Sequence, residues 1–295
     1  MPLSRQQIKD RIDMISRRQS KLEKLVKGLQ DSFFEEVLRN YDFIISSPKA
    51  YAQFFGQFNK DFHAPILRQL LEDLRFVIED NGKYFMDESD VQGAEQKIKA
   101  VEESLAVEFG ISQTGTVANE GYLADIITDT SVKRNFRAGL VKFGTQGQKL
   151  TPYRKKLLQR FIKGDEGSYG IWESFYAKED KAGGSIFDVY QKADRLAQNT
   201  FATDLGMQAK MYVGGLMASS RDFCEQRNGK IFLDSEIQAW ANLEFQGKPK
   251  VGYVPEIDLG GYRCRHHLSA LSNATAMRLD PTIKQDSKGV LYRQI

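Results

Sequence analysis

The side chains best suited to chemistry are two cysteines, Cys224 and Cys264, and the histidines His266 and His267, three of the four lying in the run Cys264-Arg265-His266-His267. Thiolates and imidazoles are ligands for zinc, and spacing decides which of them can act together. In an extended segment residues two apart share a face, so Cys264 and His266 point together and His267 points away. On a helix Cys264 would instead share a face with His267. In either case Cys224 could complete a three-ligand metal cluster of Cys224, Cys264 and His266, with Asp222 or a solvent molecule as the fourth ligand. Two other readings use the same residues. The cysteines are small buried side chains with His266 hydrogen-bonded nearby, since free cysteine is among the most buried residue types. Or they form a disulfide outside the reducing cell, where closing a loop of about 40 residues would add roughly 4 kcal/mol in the chain-entropy model. The remaining histidine, His63, has no sequence partner.

Other catalytic patterns are missing from the sequence. It contains no GxSxG elbow, no GxxxxGK[ST] loop, no HExxH and no HxE with a following PCxxC. Gly144-Thr-Gln-Gly147 and Gly183-Gly184 lack the flanks of a phosphate cradle. The sequence therefore nominates no catalytic residue, and the expectation is a protein that is not an enzyme.

Charge is distributed in blocks although the net value is only +3. Between Glu72 and Asp129 fourteen acids stand against four bases, and between Thr130 and Gly164 there are ten bases and no acid. The acids read as helix surface. The bases Lys133, Arg134, Arg137, Arg154, Lys155, Lys156 and Arg160 are candidates for binding DNA or a partner protein. Neutralisation of one block by the other, within the fold or between neighbouring copies, is the competing and favoured reading. Phe136, Phe143, Tyr153 and Phe161 are interleaved with the bases, but at helical spacing such rings more often belong to a core than to a stacking platform.

The elements that must position these residues fall into two textures. Ile8, Ile15, Leu22 and Leu29 recur every seven residues, with Ile12, Val26 and Phe33 four later, which predicts a long amphipathic helix able to form a hairpin or a coiled coil with another chain. A break at Ser46-Ser47-Pro48 follows from the restriction that proline places on its predecessor. Further helices are expected at Tyr51–Phe58, Pro65–Ile78, Ala94–Val107, Tyr122–Phe143 and Pro152–Ile162. Glycines at 164, 167, 170, 183 and 184 mark a junction. Beyond it come a helix at Ile186–Leu205 capped by Gly206, a strand at Lys210–Val213, and strands at Phe223–Glu225 and Lys230–Leu233 flanking an Asn228-Gly229 hairpin turn. Asp234 should cap the next helix. The expected fold is α+β: a helical N-terminal region (1–165), a smaller α+β domain with a β-hairpin and short sheet (166–271), and a polar arm or disordered tail (272–295).

Composition sets the class. With 295 residues, 41% hydrophobic, 27% charged and a mean hydropathy of −0.47, the chain reads as a folded, soluble protein. Two cysteines cannot make a disulfide framework, no apolar run approaches a membrane span, and the N-terminus passes directly into a charged helical pattern without a secretory signal.

One ordered set of residues resembles a known family. Tyr212-Val213-Gly214, Ser220-Arg221-Asp222-Phe223-Cys224, Asn228-Gly229-Lys230-Ile231-Phe232, Glu236-Ile237 and Gly260-Gly261-Tyr262-Arg263-Cys264-Arg265-His266 together resemble the Mu F-like head morphogenesis domain of tailed bacteriophages. The resemblance covers about residues 186 to 271. Asp222 stands where that family often has proline, and His267 where it often has an apolar residue. The resemblance implies a minor head protein, a structural and assembly component made in the host bacterial cytoplasm and carried in the virion near the portal or the capsid interior. It also implies a role in head morphogenesis, DNA packaging or ejection, and portal, capsid or like-chain partners. From the family pattern, Cys224, Cys264 and His266 are expected within contact distance of one another. The alternative is an enzyme acting on nucleic acid or nucleotides, because Mu F-like domains also occur joined to effector domains.

Overall fold

The heptad residues near the N-terminus form a 35-residue helix, α1 (Arg5–Arg39). The computed structural model of the chain describes residues 5–58, 61, 64–88, 94–112, 130–143, 150–165, 168–174, 189–218, 220–250, 252–261 and 264–294. Ile15, Leu22, Val26 and Phe33 of α1 are buried in the chain's own core, so these positions of the apolar stripe pack within the chain. The Ser46-Ser47-Pro48 break separates α2 (Tyr41–Ser46) from α3 (Pro48–Phe58). The helical body continues through α4 (Ala64–Glu88), α5 (Ala94–Phe109), α6 (Thr130–Phe143) and α7 (Pro152–Lys163). Helix α7 starts as its sequence dictates, with Pro152 in the first turn and the Thr151 hydroxyl accepting the Arg154 N–H at 3.3 Å. Residues 122–129 of the helix expected at Tyr122–Phe143 lie outside the described residues, as do His63, Gly144, Gly147, Gly183 and Gly184.

Aromatic rings fill the centre of this body. Phe33 lies 5.6 Å from Phe136 and 4.8 Å from Trp172, centroid to centroid. The Trp172 indole N–H donates to the Val26 carbonyl at 2.8 Å and the Tyr41 hydroxyl to the Leu140 carbonyl at 2.6 Å, so the polar tips of these buried rings are satisfied. A two-stranded hairpin of β1 (Gly164–Asp165) and β2 (Ser168–Tyr169) and a single helical turn, α8 (Ile171–Ser174), follow.

Helix α9 (Val189–Asp204) belongs to both halves of the molecule. Its first turns place Val189, Tyr190 and Ala193 in the core shared with α1 and α4. Its last turns place Ala197, Phe201 and Ala202 against Ile78, Phe85, Leu105 and Ala270. Gly206, at φ 68°, ends it as the sequence predicts, with the Met207 N–H bonded back to the Ala202 carbonyl at 2.9 Å.

The C-terminal region is built on a three-stranded antiparallel sheet. β3 (Ala209–Val213) is central, with β4 (Ile231–Leu233) on one side and β5 (His267–Leu271) on the other. Lys210 lies opposite Phe232 and Ala270, and Val213 opposite His267. Between β3 and β4 runs α10 (Asp222–Arg227); after β4 come α11 (Asp234–Gln238), a 3₁₀ turn (Ala239–Asn242) and α12 (Pro255–Asp258). The fold is therefore α+β with a helix-rich N-terminal half. Among the described residues no helix is long and apolar enough to cross a membrane.

Three local expectations are corrected. Phe223-Cys224-Glu225 is helical rather than a hairpin strand. Asp222 and Glu225 favour a helix N-terminus electrostatically, and Arg227 stacks 3.8 Å above the Phe223 ring four residues earlier. Asn228-Gly229 still turns the chain: Asn228 at φ −57°, ψ 128° and Gly229 at φ 78° form a type II turn closed by the Lys230 N–H on the Arg227 carbonyl at 3.0 Å. Asp234 does not cap α11. It ion-pairs with Lys210, and the Glu236 carboxylate instead accepts the Leu233 N–H at 2.8 Å.

The third correction concerns the expected tail. Ser272 caps α13 (Asn273–Leu279), and β6 (Ile283–Gln285) pairs antiparallel with β7 (Leu291–Arg293). Ala276, Ile283 and Leu291 are buried against Ala209, Ile231, Leu233 and Leu271. Arg293 fixes the end through Glu236 at 2.6 Å and Asp280 at 2.5 Å. Each three-residue strand buries only one apolar side chain, too sparse a signal for periodicity to detect.

Candidate functional site

Cys224 lies on the buried face of α10, and Cys264 and His266 on the extended segment that leads into β5. The two sulfurs are 3.8 Å apart, Cys264 Sγ is 3.8 Å from His266 Nδ1, and ligand atoms of all three residues fall within 4.8 Å of one another. All three residues are buried. The alternation read from the sequence holds: Cys264 and His266 face Cys224, while His267 turns the other way and its Nδ1 meets Asp194 Oδ2 at 2.8 Å. Asp222 is exposed on the first turn of α10 and does not join the cluster, which removes it as the fourth ligand.

Backbone and side chains around the cluster leave it little freedom. Gly260 packs against both sulfurs: a Cβ there would lie 2.4 Å from Cys224 Sγ and 3.2 Å from Cys264 Sγ. Gly261, at φ 81°, allows the close crossing of the Gly247 carbonyl, which a Cβ would meet at 1.9 Å. Arg195 of α9 reaches across and donates to the carbonyls of His266 at 3.0 Å, Ile257 at 2.8 Å and Cys264, clamping the segment that carries two of the three ligands. Arg221 donates to the Gly260 carbonyl at 3.2 Å. The Tyr212 ring stacks on His266 at 4.9 Å, and its hydroxyl donates to Cys224 Sγ at 3.2 Å. Phe223, Trp240 and Phe245 close the apolar side.

The two thiols are electrostatically unequal. The hydrogen bond with Cys224, with further help from His266 and the Arg195 charge, holds Cys264 well below the usual thiol range in spite of burial. The same hydrogen bond, then burial, pushes Cys224 up. Burial first, and then the neighbouring sulfurs, push the Tyr212 phenol up. A cleft of about 340 Å³, walled by Gly215, Met217, Ser220, Arg221, Gln246 and Arg265, reaches the cluster. Two sulfurs and an imidazole in this arrangement can hold a metal ion. They can form a disulfide only if the sulfurs close to about 2.05 Å.

A second buried polar group lies behind β5. Asp194 of α9 accepts from Arg11 Nε of α1 at 2.8 Å and from Asn81 Nδ2 of α4 at 3.2 Å, besides its contact with His267. Burial alone would raise the Asp194 carboxyl, but the Arg11 guanidinium and the His267 hydrogen bond outweigh it and hold it below the usual carboxylate range. Burial lowers His267 in turn, against the opposing pull of the Asp194 carboxylate. The sequence did not single out Arg11, Asp194 or Arg195. Asp194 and Arg195 lie on a helix buried on nearly every side, so no polar stripe distinguishes them from solvated residues. Asp258 accepts the Val254 N–H at 2.8 Å and pairs with Lys192 at 3.3 Å.

The basic block lies on α6 and α7, at the surface for the most part. Arg134, Arg154, Lys155, Lys156 and Arg160 are exposed on α6 and α7. Arg160 pairs with Asp165 at 2.7 Å, and Lys163 pairs with Asp31 of α1. Arg137 is half-buried, 5.8 Å over the Tyr51 ring. Lys133 lies in α6, but its side chain is outside the described ones. Within the acidic segment, Asp73 is answered by Arg18 of α1 at 2.5 Å. Phe136, Phe143 and Phe161 pack into the core, as helical spacing implied, whereas Tyr153 is 71% exposed beside Arg154.

The residues that carry the family resemblance therefore meet in space. Tyr212, Arg221, Phe223, Cys224, Gly260, Gly261, Cys264 and His266 form one contiguous group, while Tyr262 and Arg263 lie outside the described residues. Compared with protein-family models, curated proteins and solved structures, the chain finds no match, so the resemblance rests on these residues alone.

Proposed function

We propose that the chain is a minor head protein of a tailed bacteriophage. It is a structural and assembly component carried in the virion near the portal or capsid interior, acting in head morphogenesis and in DNA packaging or ejection. One observation carries this reading. The family-like residues come from separate stretches spread over about fifty positions, yet they depend on one another physically. Arg221 bonds to Gly260, Gly260 makes room for Cys224 and Cys264, and Tyr212 bonds to Cys224. A chance coincidence of short motifs would not be expected to assemble one core. Disrupting the reading frame should reduce the yield of DNA-filled heads in a sedimentation gradient, with restoration by the wild-type chain in trans. A full yield of infectious particles lacking the chain would overturn the proposal.

The exposed bases of α7 extend the same reading to an anionic partner, either packaged DNA or an acidic face of a neighbouring subunit. If the partner is DNA, affinity should fall with salt by about 0.9 decades per decade for each phosphate neutralised, without base preference. Replacing Arg154, Lys155 and Lys156 together by glutamine should weaken binding and flatten that slope by roughly 2 to 3, with folding intact. An unchanged slope would exclude this surface as the DNA contact.

A further inference from the structure

We propose that Cys224, Cys264 and His266 bind one zinc ion through two sulfurs and the imidazole, with the fourth position opening on the adjoining cleft and occupied by solvent. Thiolates held at about 2.3 Å by a tetrahedral zinc stand about 3.8 Å apart. The two sulfurs are separated by 3.8 Å, and the sulfur-to-imidazole edge is also 3.8 Å. Donors 40 positions apart in sequence are thus already at the spacing that the ion requires, before any rearrangement.

His266 supplies the second, independent observation. It is 3% exposed, its Nε2 is buried with no hydrogen-bond partner among the described residues, and its Nδ1 makes a long contact to the Cys264 sulfur. A buried imidazole left in that state is costly, and coordination to a metal gives one ring nitrogen a strong partner. The surroundings also match what metal ligands need. Tyr212 donates to Cys224 Sγ and Arg195 fixes the carbonyls of Cys264 and His266, so outer groups hold one ligand sulfur and the backbone of the other two ligands. The disulfide alternative fits less well, because the sulfurs would have to close by nearly 2 Å while Cys224 stays on a helix whose sulfur is packed against Gly260. The inference rests on this geometry and does not depend on the virion reading.

The test uses the full chain, purified reduced and without chelator. Elemental analysis should return about one zinc per chain. After removal of zinc by a chelator, titration with Co²⁺ should produce sulfur-to-cobalt charge-transfer absorption that saturates at about one equivalent, and zinc should raise the melting temperature of the stripped protein. Cys264→Ser and His266→Gln should each weaken Co²⁺ binding by about tenfold or more. The wild-type titration stands even if a variant fails to fold. Three results would overturn the proposal: folded, reduced wild-type protein with two free thiols that takes up neither ion; a Cys224–Cys264 disulfide in freshly purified protein, seen as a loss of two hydrogens by mass; or equal Co²⁺ uptake by wild type and both variants.

Discussion

Gly260 has no side chain, yet its small size decides whether the two sulfurs can approach one helix and one loop at the same time. A methyl group there would sit 2.4 Å from Cys224 Sγ, inside any tolerable contact, and neither the buried helix nor the clamped loop can move away freely. Gly260→Ala should therefore destabilise the chain by about 2 kcal/mol, read as a shift in the denaturant midpoint with an unchanged slope. No shift would mean the sulfurs are not packed as described. At this scale part of the site was legible in the sequence. Extended alternation put Cys264 and His266 on one face because a strand-like backbone has a period of two whether or not its hydrogen bonds are made. The location of Cys224 on a helix was not legible, since Phe-Cys-Glu beside Asn-Gly fits a hairpin strand as readily as a short helix, and the Arg227–Phe223 stack that favours the helix is a tertiary and local effect together. Arg195 was invisible for a different reason: its partners are backbone carbonyls, which carry no sequence signature.

Helix α9 is the element that joins the helical body to the sheet. Its consecutive residues Asp194 and Arg195 point to different partners, the first to Arg11 and His267, the second to the loop that carries the ligands. Asp194→Asn would leave Arg11 buried and uncompensated, and should cost about 3 to 5 kcal/mol near neutral pH. The pH dependence follows from the direction of the shift. Because the folded-state carboxyl is held below its unfolded value, its contribution is present above about pH 4 and is lost as the pH falls further. The stability gap between wild type and Asp194→Asn should accordingly be full at about pH 7 and narrow on acidification below about pH 4. A gap that widens in acid would contradict the assignment. The sequence made α9 legible as a helix, with its Gly206 cap, because apolar spacing and a positive-φ terminator are local signals. That it serves both halves was not legible. The glycines between 164 and 184 look like a junction whether the flanking elements separate or fold back on each other.

For the whole molecule, the long helices and the α+β division followed from periodicity, whereas the C-terminal segment did not. Residues 272–294 look polar, but Ile283, Leu291 and Ala276 cover the open side of the sheet against Ile231, Leu233 and Leu271. Arg293 adds half-exposed ion pairs to Glu236 and Asp280. A chain ending at Leu271 should therefore melt at a lower temperature than the full chain, or precipitate, because it exposes that apolar face. A truncated protein with an unchanged melting temperature would restore the reading of this segment as a dispensable arm. At this scale the proposed reading is of a protein that works by its surfaces within an assembly, the exposed bases of α7 among them. The most direct measurement of that proposal is quantitative mass spectrometry of purified virions of the phage that, on the proposed reading, encodes the chain. The account predicts the chain in mature, DNA-filled particles at low copy number relative to the major capsid protein. Particles of full infectivity that contain none of it would contradict the account.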